Sequence, residues 1–181
     1  MRSEFEKKAI FALTQYHDSP YKLGSALVIP NCSLLGHECD VLIISKNDYA
    51  TEIELKASIS DLKADKKKLH AHKSPYIRQL YFGISEDIPD AALEHVPEHA
   101  GIICFFERKE NTSWRKGTLC CRILRRPKPN KDALKITEQQ KQHILMNMYY
   151  RYYNLLFKTE WEEINKRRDC ERDPRELKND L

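Results

Sequence analysis

Long hydrophobic runs are missing from this chain of 181 residues. No apolar stretch approaches the ~18 residues that a membrane span needs. The opening segment, MRSEFEKKAIFAL, carries acidic residues and only a short apolar patch, which is unlike a secretory signal. We therefore expect neither a signal peptide nor contact with a membrane, and we expect the protein to be cytoplasmic.

Paired cysteine motifs are also missing, although the chain has six cysteines. There is no CxxC motif, and Cys120 and Cys121 are adjacent. The nearest approach to a metal cluster is Cys32, His37 and Cys39, which has no matching pair downstream. Structural zinc sites take four ligands in paired spacing. We expect free thiols, as in a reducing compartment.

The net charge of +4 hides strong local asymmetry. Residues 108–131 contain nine Lys or Arg and one acid, and residues 56–73 contain six lysines and two aspartates. Such basic blocks beside an acidic cluster indicate a polyanionic partner. A single basic block is also typical of an ordinary solvated surface, so the charge alone leaves both interpretations open.

The order of elements predicts a mixed α/β sheet with crossover connections. Apolar residues make up 41% of the chain, enough for one domain. We assign residues 1–135 to an α/β core, and 136–181 to a C-terminal helix and charged tail that pack on the same domain. Capping boxes are predicted at Ser3 with Glu6 and at Thr137 with Gln140. The predicted elements are helices at 3–17, 61–73 (capped by Ser60) and 138–168, and strands at 25–31, 39–45, 49–58, 79–85, 100–107 and 117–126.

Charged residues interrupt two otherwise apolar strands in the stretch CDVLIISKNDYATEIELKAS, residues 39–58. Alternate residues of a strand share a face, so Glu52, Glu54 and Lys56 point one way. If the two strands form a hairpin, Asp40 approaches Glu54. Two close carboxylates repel unless a cation lies between them, and a hard divalent ion such as Mg²⁺ suits oxygen ligands. Lys56 then supplies a positive charge on the same face.

The alternative is an exposed strand with an ordinary Glu–Lys ladder. Two features favour the functional interpretation. The strands are too apolar for an edge hairpin, and a basic segment follows the second strand directly.

These residues resemble the PD-(D/E)xK, or restriction-endonuclease-like, nuclease superfamily. Asp40 matches its first acid, and Glu54, Leu55 and Lys56 match its carboxylate-x-lysine motif. The family often adds a glutamate from the first helix, for which Glu6 is the better match and Glu4 the weaker one. Cys39 stands where the family motif has proline.

A narrower resemblance, to the MmcB-like DNA-repair subgroup, extends over roughly residues 3–125. In IELKASISDLKADKKK, Asp65 and Lys67 match an Asp-x-Lys step on the helix that follows the motif, and a strand rich in Tyr and Phe comes next. The resemblance implies a restriction-endonuclease-like mixed β-sheet flanked by helices, with the long C-terminal helix as an addition.

The activity that the resemblance implies is metal-dependent hydrolysis of DNA phosphodiester bonds, in repair or in phage or mobile-element processing. Asp40, Glu54 and the Leu55 carbonyl would hold Mg²⁺ or Mn²⁺. Lys56 would support the nucleophile or the transition-state charge, and Glu6 would complete the shell directly or through water. The residues expected to contact phosphate are Lys63, Lys66, Lys67, Arg115, Lys116, Arg125 and Arg126.

Two competing functions remain open at this stage. One is a non-catalytic nucleic-acid-binding module on a nuclease-like fold, and the other is an interaction protein that uses its Tyr-rich C-terminal helix. We expect about half of the four tyrosines, Tyr149, Tyr150, Tyr152 and Tyr153, to lie in the core. The sequence leaves DNA against RNA, strandedness, cleavage mode and oligomeric state open, with a homodimer among the options.

Overall fold

The computed structural model describes residues 3–17, 26–33, 37–65, 74–88, 90–107 and 119–171. They form a six-stranded sheet with flanking helices. The elements, in chain order, are α1 (Glu4–His17), β1 (Leu27–Cys32), β2 (Cys39–Ile44), β3 (Ala50–Lys56), α2 (Ile59–Asp65), β4 (Ile77–Ser85), a 3₁₀ helix (Asp90–His95), β5 (Gly101–Glu107), β6 (Leu119–Arg125), α3 (Glu138–Leu156) and α4 (Lys158–Glu171).

The strands lie side by side in the order in which they occur in the chain. Strands β1, β2 and β3 form an antiparallel meander, β4 and β5 run parallel to β3, and β6 closes the sheet antiparallel to β5. Parallel neighbours require a crossover, and α2 lies in the β3–β4 crossover while the 3₁₀ helix lies between β4 and β5. The mixed α/β class and all six strands predicted from the sequence are confirmed.

Alternation along the central strands divides the core into two layers. The first layer packs α1 on one face of the sheet, where Ala9 and Leu13 meet Val41, Ile53 and Leu55. The second layer, on the opposite face, is built from Leu62, Leu80, Phe82, Ile84, Ile88, Val96, Ala100 and Ile102. The charged residues of β3 lie on this second face, because they alternate with the apolar residues that contact α1.

Both predicted capping boxes are present. The Ser3 backbone N–H donates to Glu6 Oε2 at 2.9 Å, and the Glu6 N–H donates to Ser3 Oγ at 3.2 Å. Thr137 and Gln140 make the same reciprocal pair, with N–H···O distances of 2.9 and 3.2 Å. These bonds satisfy backbone donors that the first turn of a helix leaves open.

The start of α2 differs from the prediction. The cap is Ser58, whose Oγ accepts the Asp61 N–H at 3.2 Å, while Asp61 Oδ2 accepts the Ala57 N–H at 3.4 Å. The predicted cap, Ser60, lies inside the helix and shares a hydroxyl hydrogen bond with Ser58. Helix α2 is described as far as Asp65, and the rest of the predicted 61–73 helix lies outside the described residues.

The chain divides into two compact units, Met1–Gln140 and Lys141–Leu181. The single long helix predicted at 138–168 is instead two helices, separated by a turn at Phe157. Hydrogen bonds four residues apart continue through this turn, since the Phe157 N–H donates to Tyr153 O and the Trp161 N–H donates to Phe157 O. That the segment packs on the core stays a prediction. No helix within the described ranges is long and apolar enough to cross a membrane.

A methyl group added at Gly101 should destabilise the sheet. An alanine Cβ there would lie 2.5 Å from Tyr81 Cδ1 and 2.9 Å from the backbone oxygen of Arg125, which cannot rotate away. We expect Gly101→Ala to lower the free energy of unfolding by about 1–3 kcal/mol, measured by urea denaturation. The exposed Gln139→Ala should stay within about 0.5 kcal/mol of wild type. Equal stability of the two variants would contradict the packing described.

Candidate active site

A tight turn sets the register of the β2–β3 hairpin. The Asp48 N–H donates to Ser45 O at 2.9 Å, and the Ser45 N–H donates to Tyr49 O at 3.0 Å. Asp48 has a φ of 68°, a left-handed conformation that aspartate tolerates better than most residues. The turn therefore determines which residues of β2 and β3 face each other.

The register brings Asp40 to Glu54. Val41 pairs with Ile53 and Leu42 pairs with Glu52. Continuing the same register by one residue would set Asp40 opposite Glu54. Directly opposed residues of an antiparallel pair share a face of the sheet. Asp40 Oδ2 accepts the Leu55 backbone N–H at 2.8 Å, which holds the carboxylate against β3. The hairpin thus brings together two of the acids singled out from the sequence.

The charged residues of β3 are buried. Glu52 is 0% exposed, Glu54 1% and Lys56 3%. Lys56 Nζ donates to Glu54 Oε2 at 3.1 Å and lies 5.9 Å from the centre of the Phe82 ring. An exposed Glu–Lys ladder is therefore wrong. Burying charges costs several kcal/mol even when they are paired, so the arrangement is poorly explained by stability alone.

A histidine–glutamate pair adjoins these residues. His37 Nε2 lies 2.9 Å from Glu52 Oε1, and both side chains are almost completely buried. His37 precedes β2, yet it reaches Glu52, which is level with Leu42 inside the strand. His37 therefore lies over the face of the sheet that carries Glu52. The sequence interpretation did not predict this pairing, although it named both residues: His37, two residues before Cys39, and Glu52, two residues before Glu54 on the same face.

The neighbouring cysteines do not favour a zinc site. Cys39 Sγ donates to the Cys32 carbonyl oxygen at 3.3 Å. A side-chain hydrogen bond with Cys32, burial and the nearby carboxylates of Glu52 and Glu54 raise the pKa of the Cys39 thiol. Zinc binds the thiolate, so these causes oppose it. The predicted free thiols are confirmed for five cysteines: Cys32, Cys39, Cys104, Cys120 and Cys121.

The donor chemistry fits a hard divalent cation. Asp40, Glu52 and Glu54 contribute three carboxyl groups against one ammonium on the same face, and carboxylate and carbonyl oxygens are what Mg²⁺ binds. Over the described ranges, no three Asp, Glu, His or Cys side chains converge into a ready-made metal cluster. The expected set, Asp40, Glu54 and the Leu55 carbonyl, needs only two side chains. Leu55 points its own side chain into the α1 layer, so it can contribute only its backbone.

The glutamates of α1 make other contacts in the structure. Glu6 uses its carboxylate in the capping box with Ser3. Glu4, the weaker match, lines a cavity of about 500 Å³ that also includes Ala57, the residue after Lys56. A contribution of Glu6 to the metal shell stays a prediction, and it competes with the capping role.

The expected phosphate contacts have mixed outcomes. Lys63 and Arg126 are exposed. The expectation that Arg125 contacts phosphate is corrected. Its guanidinium donates to the backbone oxygens of Ala100, Val96 and Pro97 at 2.8–3.3 Å and is thereby committed to a loop. The other four, Lys66, Lys67, Arg115 and Lys116, lie outside the described residues, as does the matched Asp-x-Lys step beyond the backbone of Asp65.

The fold and the site define an α/β protein with a mixed sheet and a buried acid–lysine cluster on its central hairpin. The chain belongs to the MmcB-like family, whose model is described as "DNA repair protein MmcB-like" and matches residues 22–128, more than half of the sequence.

A solved structure, the SPO1766 protein of unknown function from Silicibacter pomeroyi, is similar in fold. The TM-score is 0.54 at 13% identity, with 90% of this chain and 96% of that chain covered. No curated protein matches the sequence.

Removing Lys56 should strongly destabilise the protein, because it leaves the buried Glu54 carboxylate without its ammonium partner. We expect Lys56→Met to lower the free energy of unfolding by about 3–5 kcal/mol, and the double variant Glu54→Gln/Lys56→Met to recover most of that loss. Urea denaturation in the presence of EDTA measures both.

The matched control is Lys128→Met. Lys128 pairs with Glu98 at 3.5 Å on the exposed surface, and exposed pairs contribute only about 0–1 kcal/mol. If Lys56→Met lowers the free energy of unfolding as little as Lys128→Met does, the buried Lys56–Glu54 pair does not have the expected effect on stability.

Proposed function

We propose that this protein is a divalent-metal-dependent nuclease that hydrolyses DNA phosphodiester bonds, on a restriction-endonuclease-like version of the mixed sheet. One observation carries the proposal: the Asp40 carboxylate is bound at 2.8 Å to the N–H of Leu55, which lies between Glu54 and Lys56, a buried pair joined at 3.1 Å. This combination supplies metal-binding oxygens and a fixed cation on one face of the sheet. The identification with the PD-(D/E)xK superfamily rests on these same residues.

Asp40, Glu54 and the Leu55 carbonyl would hold Mg²⁺ or Mn²⁺ in this proposal. A bound divalent ion lowers the pKa of a coordinated water and neutralises charge on the phosphate. The hydrogen bond from the Leu55 N–H fixes one oxygen of Asp40, so the carboxylate needs little reorganisation to bind. Such preorganisation is where much of the rate enhancement of polar active sites arises.

Lys56 would stabilise negative charge that develops as the phosphodiester is attacked. Its ammonium is held 3.1 Å from Glu54 Oε2 and is shielded from solvent, so its field is weakly screened. The side chain can turn one of its three N–H donors toward a phosphate oxygen or the attacking water. Glu54 and Lys56 thus act as a unit in which the acid orients the ammonium.

DNA is proposed as the substrate because the family model is that of a DNA repair protein and because a basic block, residues 56–73, closely follows Glu54 in the sequence. The exposed Lys63 on α2 lies in this block, a few residues after Lys56. Contacts of this kind bind the backbone without reading its sequence. We accordingly propose a role in DNA repair with little base specificity from the described residues, and RNA stays open as a second substrate.

Cleavage should require both a divalent ion and the Glu54 and Lys56 side chains of β3. We expect the wild type to cut DNA with Mg²⁺ or Mn²⁺ and to stop in EDTA, in an assay over single- and double-stranded DNA and RNA. Glu54→Gln should lose metal binding by calorimetry together with cleavage. Lys56→Met should retain metal binding and lose about 10²-fold or more in turnover.

The matched control is Glu98→Gln, which removes an exposed carboxylate that pairs with Lys128 and should leave cleavage unchanged. Melting curves establish that each variant is folded at the assay temperature. A wild type that binds no metal and cuts no substrate would replace this proposal with the non-catalytic nucleic-acid-binding module.

Binding to DNA should weaken steeply with salt, because basic side chains displace condensed counterions. Lys63→Glu should reduce affinity for unrelated sequences to a similar extent and lower the salt slope by about 1. Fluorescence anisotropy over a salt series measures both. Lys46→Glu is the control, since Lys46 is exposed in the turn between β2 and β3, at the far end of β3 from Lys56. Equal effects of the two variants would contradict a local contact at Lys63.

A further inference from the structure

The second unit exposes an unusual amount of apolar surface. Large hydrophobic side chains along α3 and α4 are 38–72% exposed, and they comprise Leu145, Met146, Tyr149, Tyr150, Tyr152, Tyr153, Leu155, Leu156, Phe157, Trp161 and Ile164. The expectation that half of the tyrosines lie in the core is therefore wrong, because all four are at least 39% exposed. A contiguous exposed patch of this kind is typical of an interaction surface.

Successive residues of a helix are about 100° apart, so the composition of each face of α3 can be read from the sequence. The first six residues of α3, 138–143, are all polar. From Ile144 onward, polar residues occupy one narrow stripe, formed by Asn147, Arg151 and Asn154 of α3 and continued by Lys158 of α4. Most of the remaining circumference carries aromatic or aliphatic side chains. A helix that is apolar over so much of its circumference is normally buried.

Four of these residues form a row with spacings of four, three and four: Leu145, Tyr149, Tyr152 and Leu156, here called the apolar seam. This is the repeat that brings two helices together by knobs-into-holes packing. Ring contacts order the aromatic side chains beside it, with Tyr149 and Tyr153 at 6.3 Å and Tyr153 and Phe157 at 4.5 Å between centroids. The seam is thus partly preorganised for packing.

Charge at the two ends of the apolar seam is self-complementary. One turn before Leu145 the same face carries Lys141, and two turns after Leu156 it carries Glu163. In an antiparallel pair of identical helices centred on Tyr152, Lys141 of each copy meets Glu163 of the other. A parallel pair would set each charge against its own kind, which is unfavourable.

We propose that two copies of this chain associate through α3 and α4 in an antiparallel, two-fold symmetric arrangement along the apolar seam. The available area is sufficient. Seven exposed large apolar side chains lie on the seam or directly beside it: Leu145, Met146, Tyr149, Tyr152, Tyr153, Leu155 and Leu156. At roughly 80 Å² each they offer on the order of 550 Å² per copy, which for two copies reaches the ~1,000 Å² in total that a specific interface needs. The proposal is independent of the nuclease chemistry.

Sedimentation velocity over about 1–100 μM full-length protein tests the proposal. We expect the wild type to approach twice the 21.4 kDa chain mass. Tyr152→Glu/Leu156→Glu should weaken association by more than ~10-fold, because it places charges in a desolvated contact. Both side chains are more than half exposed in the single chain, so the variant should still fold, as checked by circular dichroism.

Asn147→Glu/Asn154→Glu is the matched control, with the same added charge on the polar stripe, and should associate like the wild type. Orientation is tested by charge exchange: Lys141→Glu and Glu163→Lys should each weaken the dimer, and the double variant should restore it. A wild type that stays monomeric at 100 μM, or a seam variant that associates as well as the stripe variant, would overturn the proposal. Failure of the double variant to restore association would overturn the antiparallel arrangement.

Discussion

The alternation of β3 is the constraint on which the rest of the molecule depends. Ile53 and Leu55 must enter the apolar layer beneath α1, so Glu52, Glu54 and Lys56 are forced onto the opposite face of a central strand. There is no edge at which they could reach water directly, because β2 and β4 flank the strand. A shift of one residue in register would exchange the two sets and bury the charges under α1. The register of β3 therefore determines both the packing of the core and the position of the polar cluster.

Because the cluster is buried, a charged group that loses its partner there costs more free energy than it would in water. Lys56 compensates Glu54, His37 meets Glu52, and the Leu55 N–H meets Asp40. Each contact is made within β3, between β3 and the adjacent strand β2, or by His37, which precedes β2. Low local polarity strengthens these interactions and equally raises the cost of losing one of them. The cluster is consequently a set of mutually dependent groups, and single substitutions in it affect stability and chemistry together.

Local patterns in the sequence predicted the features that depend on residues close together in the chain. Strand alternation was enough to place Asp40, Glu54 and Lys56 on one face, and reciprocal capping was enough to locate the starts of α1 and α3. The incorrect predictions involve contacts between residues that are distant in the sequence, or the choice between two neighbouring residues for the same role. Arg125 is held by carbonyls about 25–29 residues upstream. The turn at Phe157 occurs with no proline or glycine to announce it. Ser58 rather than Ser60 caps α2: Ser58 Oγ accepts the Asp61 N–H, while the Asp61 carboxylate accepts the N–H of Ala57.

The tight turn at 45–49 has a consequence for the order in which the protein folds. Asp40 and Glu54 are joined by a short hairpin, whereas the parallel pairing of β3 with β4 must wait for a longer loop to close. Contacts between residues near in sequence form faster than distant ones. We therefore expect the two acids to meet early, while the hairpin is still hydrated and their repulsion is weak. In that order of events, dehydration follows when β4 docks and brings Phe82 beside Lys56, so the ammonium enters the interior on the same strand as the acid that it neutralises.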